Sequence, residues 1–296
     1  MTHLYSKKVY ADASAELGPI VRIECLDIWV QVRDIPGTNL KDAIGLYPFS
    51  LPTEPQSPEQ LRSELKNLDL LSLVLVAAPF LSDVSWLSST FDMARVYKTQ
   101  FTVEGAPEKR VFKKNIRYVI RKAQAVCTVQ KIELSDYLDR WCELYGTLIT
   151  KHDLKGIHRF SRNYFESLAN ISEISTFGAF VDGNLVSASL WIEDANWVTG
   201  HLSGTNKIGY GTGANHALFD YVVRHYEGRN INLGGAPDSP KQGTDLSLFK
   251  RKFANATQDS WICGIVADQS ICNRLNQDRN INESQTDYFP AYRKPD

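Results

Sequence analysis

The apolar positions of this chain change period several times, and each change predicts a new element. Residues 21–32, with Ile23, Trp29 and Val30, read as a strand, and residues 44–49 as a second. Pro52 and Pro55 mark a loop; Ser57 can then cap a helix that has Pro58 at its first position and Leu61, Leu65 and Leu68 as its apolar stripe. Residues 71–77 are almost continuously apolar, as in a strand buried on both faces. A short helix over 84–93 and a strand over 96–103 follow.

The middle of the chain is helical. Lys109, Arg110, Lys113, Lys114, Arg117, Arg121 and Lys122 alternate with Phe112, Ile116, Val119 and Ile120, which predicts an amphipathic helix with one strongly basic side. Ser135 or Asp136 can cap the next helix, whose stripe is Tyr137, Trp141, Leu144, Tyr145 and Leu148. Ser161 starts another, with Tyr164, Phe165 and Leu168 on one face. The period then shortens to that of strands, over 174–181, 185–192 and 197–203. Asp182-Gly183 gives a hairpin turn and 193–196 a second turn, so the three form an antiparallel meander. A glycine-rich stretch, 204–213, leads into a helix with Ala214, Ala217, Leu218, Tyr221, Val222 and His225 on one face and Gly228 past its end. A short strand over 230–233, a helix over 246–253 and a strand over 260–267 precede a polar tail.

Composition narrows the class. With 296 residues, 43% hydrophobic and 23% charged, the chain can bury a core and is neither disordered nor a disulfide scaffold. The net charge of −1 supplies no global field, so a polyanion must be caught by a local patch. The longest apolar run, over 70–81, is broken by Ser72 and Pro79 and is too short to span a bilayer, which takes about 20 residues. With no apolar leader, the expectation is a cytoplasmic protein without membrane insertion. Five scattered cysteines with no C-x-x-C read as reduced thiols; neither a catalytic cysteine signature nor a zinc spacing is present, so no metal is expected.

The candidate chemistry centres on strand, glycine stretch and helix, 197–226. A helix start offers free N–H groups and a positive dipole end, and glycines let a phosphate approach the backbone. The spacing Gly209-x-Gly211-x-Gly213 is neither the Rossmann turn nor the P-loop, so the stretch reads either as a phosphate cradle or as a flexible connector.

The order of elements decides more than the loop does. It resembles that of the GNAT acyltransferase superfamily, in particular its FemAB-like branch and the acetyltransferases that accompany polysaccharide and cell-envelope synthesis. The matching residues are Lys114-Asn-Ile-Arg117 with Ile120-Arg-Lys-Ala123, Trp141-x-x-Leu-Tyr145, Phe180-Val-Asp-Gly-Asn-Leu-Val186, Asn232-Leu-Gly-Gly235, Leu248-Phe-Lys-Arg-Lys-Phe253 and Tyr288-Phe-Pro-Ala-Tyr-Arg293, within residues 95–293. The resemblance implies an α/β (mixed-sheet α+β) GNAT-like fold. It divides the chain into a degenerate GNAT-like half over 1–104, an acyltransferase domain over 105–272 and a tail over 273–296, a tandem arrangement as in FemAB-like proteins. It also implies an N-acyltransferase that moves an acyl group from acetyl-CoA, or another acyl-CoA, to a primary amine, such as an amino sugar or a sugar nucleotide.

Under that resemblance Lys207, Gly209, Tyr210, Gly211, Thr212, Gly213, Ala214 and Asn215 hold the pyrophosphate of coenzyme A, although Lys207 with Gly209-x-Gly211 matches the superfamily's Arg/Gln-x-x-Gly-x-Gly/Ala only in part. The reaction needs a base for the amine's proton and donors for the oxyanion. His201, on the strand beside the loop, is either that base or a half-buried strand histidine. Lys250 is by resemblance the group that stabilises the oxyanion, or else belongs to a solvated helix face. Gly234 and Gly235 after Asn232 mark where the sheet splays to admit the donor's amide chain, or simply a turn. Arg117 and Arg121, an i, i+4 pair, can fork onto phosphates. His152, beside Asp153 and six residues before His158, is a further substrate contact or a polar loop residue; with His158 it could bind a metal, but two loop histidines lack a defined face for one. Two alternatives stand beside acyl-CoA chemistry: aminoacyl transfer from charged tRNA, docked on the basic helix with Tyr118 as its one stacking residue, and a non-catalytic GNAT-like module. DNA is not an expected partner.

Overall fold

In the computed structural model, the described residues are 3–105, 114–152, 159–235, 243–282 and 286–294. Along the chain the elements are α1 (Lys8–Ser14), β1 (Ile20–Ile23), β2 (Ile28–Asp34), β3 (Lys41–Gly45), α2 (Pro58–Asn67), β4 (Leu70–Ala77), α3 (Leu87–Thr90) and β5 (Met93–Val103). Then come α4 (Lys114–Gln124), β6 (Thr128–Ile132), α5 (Leu138–His152), α6 (Arg162–Ala169), β7 (Ile174–Val181), β8 (Asn184–Glu193) and β9 (Trp197–Thr205). The chain closes with α7 (Lys207–Thr212), α8 (Ala214–His225), β10 (Asn230–Gly235), α9 (Gly243–Arg251), β11 (Ala256–Val266) and α10 (Gln269–Asp278).

Most local signals act as expected. Ser57 Oγ accepts from the Gln60 N–H at 3.2 Å with Pro58 at the first helical position, and Ser161 Oγ likewise accepts from Tyr164 N–H. The apolar run after α2 is the strand β4, buried along nearly its whole length. Other expectations shift. Residues 21–32 are not one strand: Asp27, left-handed at φ 53°, folds β2 back on β1 with Ile23 opposite Ile28. The helix expected over 84–93 shrinks to α3, because β5 already begins at Met93. Thr128–Ile132 adds a fourth strand to the meander; only its last residue is buried, so it lacks the alternation that would reveal it.

The chain forms two compact units, Tyr5–Tyr97 with Asp259–Asp296, and Lys98–Gln258 with Met1–Leu4. These run differently from the linear segments drawn at 104 and 272, since 259–296 returns to the N-terminal unit. In that unit the strands lie in the order β1-β2-β3-β4-β11, with only β3/β4 parallel. Leu61, Leu65, Leu73, Leu75, Cys263 and Ile265 fill its core.

The central unit is a sheet in the order β5-β10-β9-β8-β7-β6, in which residues 98–103 of β5 take part and only β9/β10 is parallel. Side chains alternate between its faces. Phe101, Trp191, Val198, Ile231 and Leu233 bury one face under Ile116, Ile120 and Ala123 of α4 and Ala217, Leu218 and Val222 of α8. The other face carries α5 and α6, where Phe165 meets the stacked rings of Trp141 and Tyr145 edge-on and Leu144 lies against Gly204. Among the described residues no helix is long and apolar enough to cross a membrane.

Candidate functional site

The parallel ladder between β9 and β10 is short. Asn230, Ile231 and Asn232 pair with Trp197, Val198 and Thr199, and there the pairing ends. Beyond that rung β9 runs on along β8 to Thr205, while β10 stays with β5, Gly235 lying opposite Gln100. The two central strands therefore part. On the other edge of β9, Leu190 faces Leu202 but Trp191 faces Gly200, so His201 is the extra residue of a bulge at the same level.

Three residues shape the end of β10. Asn232 Oδ1 accepts from the Gly234 N–H at 2.8 Å, and Gly234 takes the left-handed φ of +87° that a residue with Cβ resists. A Cβ there would stand 2.7 Å from Lys250 Nζ. Lys250 reaches in from α9 and donates to the Gly235 carbonyl at 2.6 Å. Lys250 is thus not on a solvated helix face: burial, reinforced by the charge of Lys98, pushes its pKa down to about 7. Its neighbour Arg251 instead stacks over Phe101 at 5.9 Å.

The glycine stretch requires a correction. Residues 207–212 are not an open loop but the helix α7, capped by Asn206, whose Oδ1 accepts from the Gly209 N–H at 2.9 Å. The Tyr210 N–H bonds Asn206 O, and the Gly213 N–H bonds back to the carbonyls of Gly209 and Tyr210. The amides of Gly209, Tyr210 and Gly213 are therefore satisfied within the chain, and Gly211 and Thr212 lie inside the helix. Gly209 is needed for another reason: a Cβ there would come within 2.5 Å of Val186 O, so only glycine lets α7 lie on β8. Gly213, at φ +75°, makes the joint to α8 and sits against Val119 and Ala123 of α4. Lys207, Tyr210 and Gly211 are exposed. What survives of the expected anion site is the start of α8 at Ala214 and Asn215, with the exposed Arg117 and Arg121 on the neighbouring α4. A coenzyme A pyrophosphate fits these residues in part: a helix start and cations are present, but the open cradle is not.

His201 is corrected as well. It is 5% exposed, its Nε2 lies 2.9 Å from Tyr164 Oη, and burial pushes its pKa down to about 3. Burial and the Tyr164 contact make it a core residue of the bulge, more deeply buried than the half-buried strand histidine of the second expectation. His152 ends α5, with its side chain outside the described residues, as are Asp153 and His158 entirely. Sequence reasoning missed Thr199, Tyr164 and Asn206. Only Asn206 had a signal, a cap residue just before a glycine-tolerant helical turn. It also passed over His216, on α8, which stacks edge-on with Phe249 at 4.8 Å and whose pKa burial lowers to about 4.

Residues 110–237 match the profile of the acetyltransferase (GNAT) domain. No curated protein matches the chain by sequence. Among solved structures, FemX is similar at a TM-score of 0.64 and 11% identity, over 92% of this chain and 95% of that one. The C-terminal domain of a proposed lysylphosphatidylglycerol synthetase of Agrobacterium fabrum gives 0.59 and 14%, over 94% and 93%. The lysylphosphatidylglycerol synthetase structure from Bacillus licheniformis gives 0.57 and 12%, over 90% and 94%. These likenesses concern the fold, and they extend it over nearly the whole chain. The parted strands, the order of elements and the domain match converge on one conclusion: residues 110–237 match a GNAT acetyltransferase domain, and the fold of the chain is similar to that of FemX.

Proposed function

We propose that the protein is an N-acyltransferase that joins an acyl group to a primary amine where β9 and β10 part. One observation carries the reading: a half-buried lysine amine, Lys250, is held against the Gly235 carbonyl at the end of β10, beside the gap left by the missing ladder. Acyl transfer between two bound substrates needs no covalent enzyme intermediate, since proximity lowers much of the barrier. It does need a group that takes the proton of the attacking amine. A neutral Lys250 Nζ does this, and once protonated it faces the negative charge developing on the carbonyl oxygen. GNAT domains in general use acyl-CoA, and acetyl-CoA is the donor we assign here. Its phosphates would meet the start of α8 and Arg117 and Arg121. The amine is that of an amino sugar or sugar nucleotide.

Calorimetric titration of the full chain with acetyl-CoA, followed by acetylation assays on amino sugars, tests this. Binding is expected, with turnover falling about 10²- to 10⁴-fold in Lys250→Met. Absence of heat with every acyl-CoA overturns the donor.

One observation favours a second donor. Because 207–212 is helical, the diphosphate cradle is closed, whereas α4 presents exposed Arg117, Arg121, Lys122 and Tyr118. That surface suits an aminoacyl-tRNA, and two of the similar structures are named for making lysylphosphatidylglycerol, an aminoacylated product. Under this reading tRNA binds with a steep salt dependence that Arg117→Glu with Arg121→Glu flattens, and acetyl-CoA does not bind.

A further inference from the structure

A row of three polar side chains crosses the sheet at the last paired rung before the strands part. Thr102 on β5 pairs with Asn232 on β10, and Asn232 with Thr199 on β9. All three are fully buried. By strand alternation they lie on the face of α5 and α6, opposite Val198 and Ile231, which pack under α8. Thr102 Oγ1 donates to Glu104 Oε1 at 2.7 Å. The Asn232 amide is fixed in orientation, because its oxygen accepts from the Gly234 N–H and a flip would set two donors against each other. Asn232 Nδ2 and Thr199 Oγ1, by contrast, have no hydrogen-bond partner among the described residues. Two adjacent, fully buried polar groups without partners are costly and uncommon in a folded protein, and they mark a place where something else makes the bonds.

We propose that Thr199 and Asn232 form a two-point subsite for the acceptor, recognising an uncharged secondary amide. Asn232 Nδ2 donates to the amide carbonyl, and Thr199 Oγ1 accepts from the amide N–H. The inference rests on the N-acyltransferase reading. There the donor's phosphates occupy the α8 face, beside Arg117 and Arg121, which leaves the α5–α6 face and this row to the acceptor. An anion is disfavoured, because the Glu104 carboxylate already ends the row, accepting from Thr102 and from Gln258 at 3.0 Å. Such an amide can belong to a peptide or to the N-acetyl group of an amino sugar.

The test is a saturation-transfer NMR titration of the full chain with alanyl-alaninamide, with N-acetylglucosamine, and with cyclohexylamine as an amine lacking an amide. One of the two amides should bind at least tenfold more tightly than cyclohexylamine, and which one does so identifies the source. Thr199→Val should weaken that amide about tenfold, Thr199→Ser should restore it, and acetyl-CoA binding should be the same in all three proteins. Without ligand, the Thr199→Val melting temperature should equal or exceed that of the wild type, because a partnerless hydroxyl has been removed. A melting temperature several degrees lower, a titration indifferent to Thr199→Val, or failure of both amides to bind overturns the subsite. Amide binding that depends on Thr199 in a protein that does not bind acetyl-CoA removes the donor assignment and leaves the subsite standing.

Discussion

Lys250 has two properties that pull in opposite directions, and its behaviour with pH separates them. Burial lowers its pKa from 10.5 to about 7, so near neutrality the amine is free to take a proton. The rate should therefore rise along an acid limb centred near pH 7, and Lys250→Arg, which stays charged, should abolish the rate rather than shift the limb. Stability follows from the same shift. Between about 7 and 10.5 the unfolded chain binds the proton and the folded chain does not, so stability rises with pH across that window. Below it the full cost of the half-buried ammonium is present. Lys250→Met should raise the melting temperature most below pH 7, with the advantage fading toward pH 10; urea titrations at pH 6 and 9 would show it, and an equal effect at both values would refute it. Resemblance alone pointed to Lys250, and its approach to Gly235 was invisible in a sequence where it sits between Phe249 and Arg251. His201 shows the converse. A histidine beside the glycine segment suggests a base, but the Tyr164 hydroxyl that meets it comes from the helix α6, 37 residues away.

At the scale of the element, the glycine segment shows what spacing does and does not encode. Gly209, Gly211 and Gly213 read alike in sequence but serve different ends: the first for close approach to Val186 O, the last for a left-handed joint, while the middle one meets nothing within 4 Å. A cradle and a helix lying on a strand demand the same small residues, so the pattern could not choose between them; the choice depended on β8. Two substitutions distinguish the outcomes. Gly209→Ala should destabilise by about 1–3 kcal/mol, because its methyl overlaps a backbone carbonyl that cannot move freely. Gly211→Ala should stabilise by about 0.5–1 kcal/mol, since it relieves a glycine inside a helix at no steric cost, and should leave donor affinity unchanged. Denaturation curves and calorimetry on both variants would decide. A Gly211→Ala that loses donor binding would restore the open cradle. The strands of the meander, in contrast, were legible residue by residue, because the Asp182-Gly183 turn and the alternation act locally.

For the whole molecule, the order of elements was legible but the return of the C-terminal segment was not, because no local signal says where a polar tail will pack. It packs within the N-terminal unit around Asp42, a fully buried carboxylate in β3. Arg293 donates to it twice, at 2.7 and 2.8 Å, Arg33 once at 3.1 Å and the Tyr292 hydroxyl at 3.2 Å, while Ser72 lies 2.7 Å from that same hydroxyl. Tyr292 fills a small core with Leu71, Val266 and Cys272. A buried charge so completely partnered contributes little net stability while intact, yet loss of one partner strands the others. Asp42→Ala leaves Arg33 and Arg293 facing each other with the carboxylate gone, and should cost about 3–5 kcal/mol. Tyr292→Phe deletes only one hydroxyl and should cost about 1–3 kcal/mol, the penalty for leaving Ser72 partnerless. Because the network lies wholly within the N-terminal unit, hydrogen exchange in Asp42→Ala should accelerate first in β2, β3, β4 and β11, and only later in β7, β8 and β9. Equal acceleration in both groups of strands would mean that the two units open as one, and the cost of losing Asp42 would then fall on the strands around the β9–β10 gap as well.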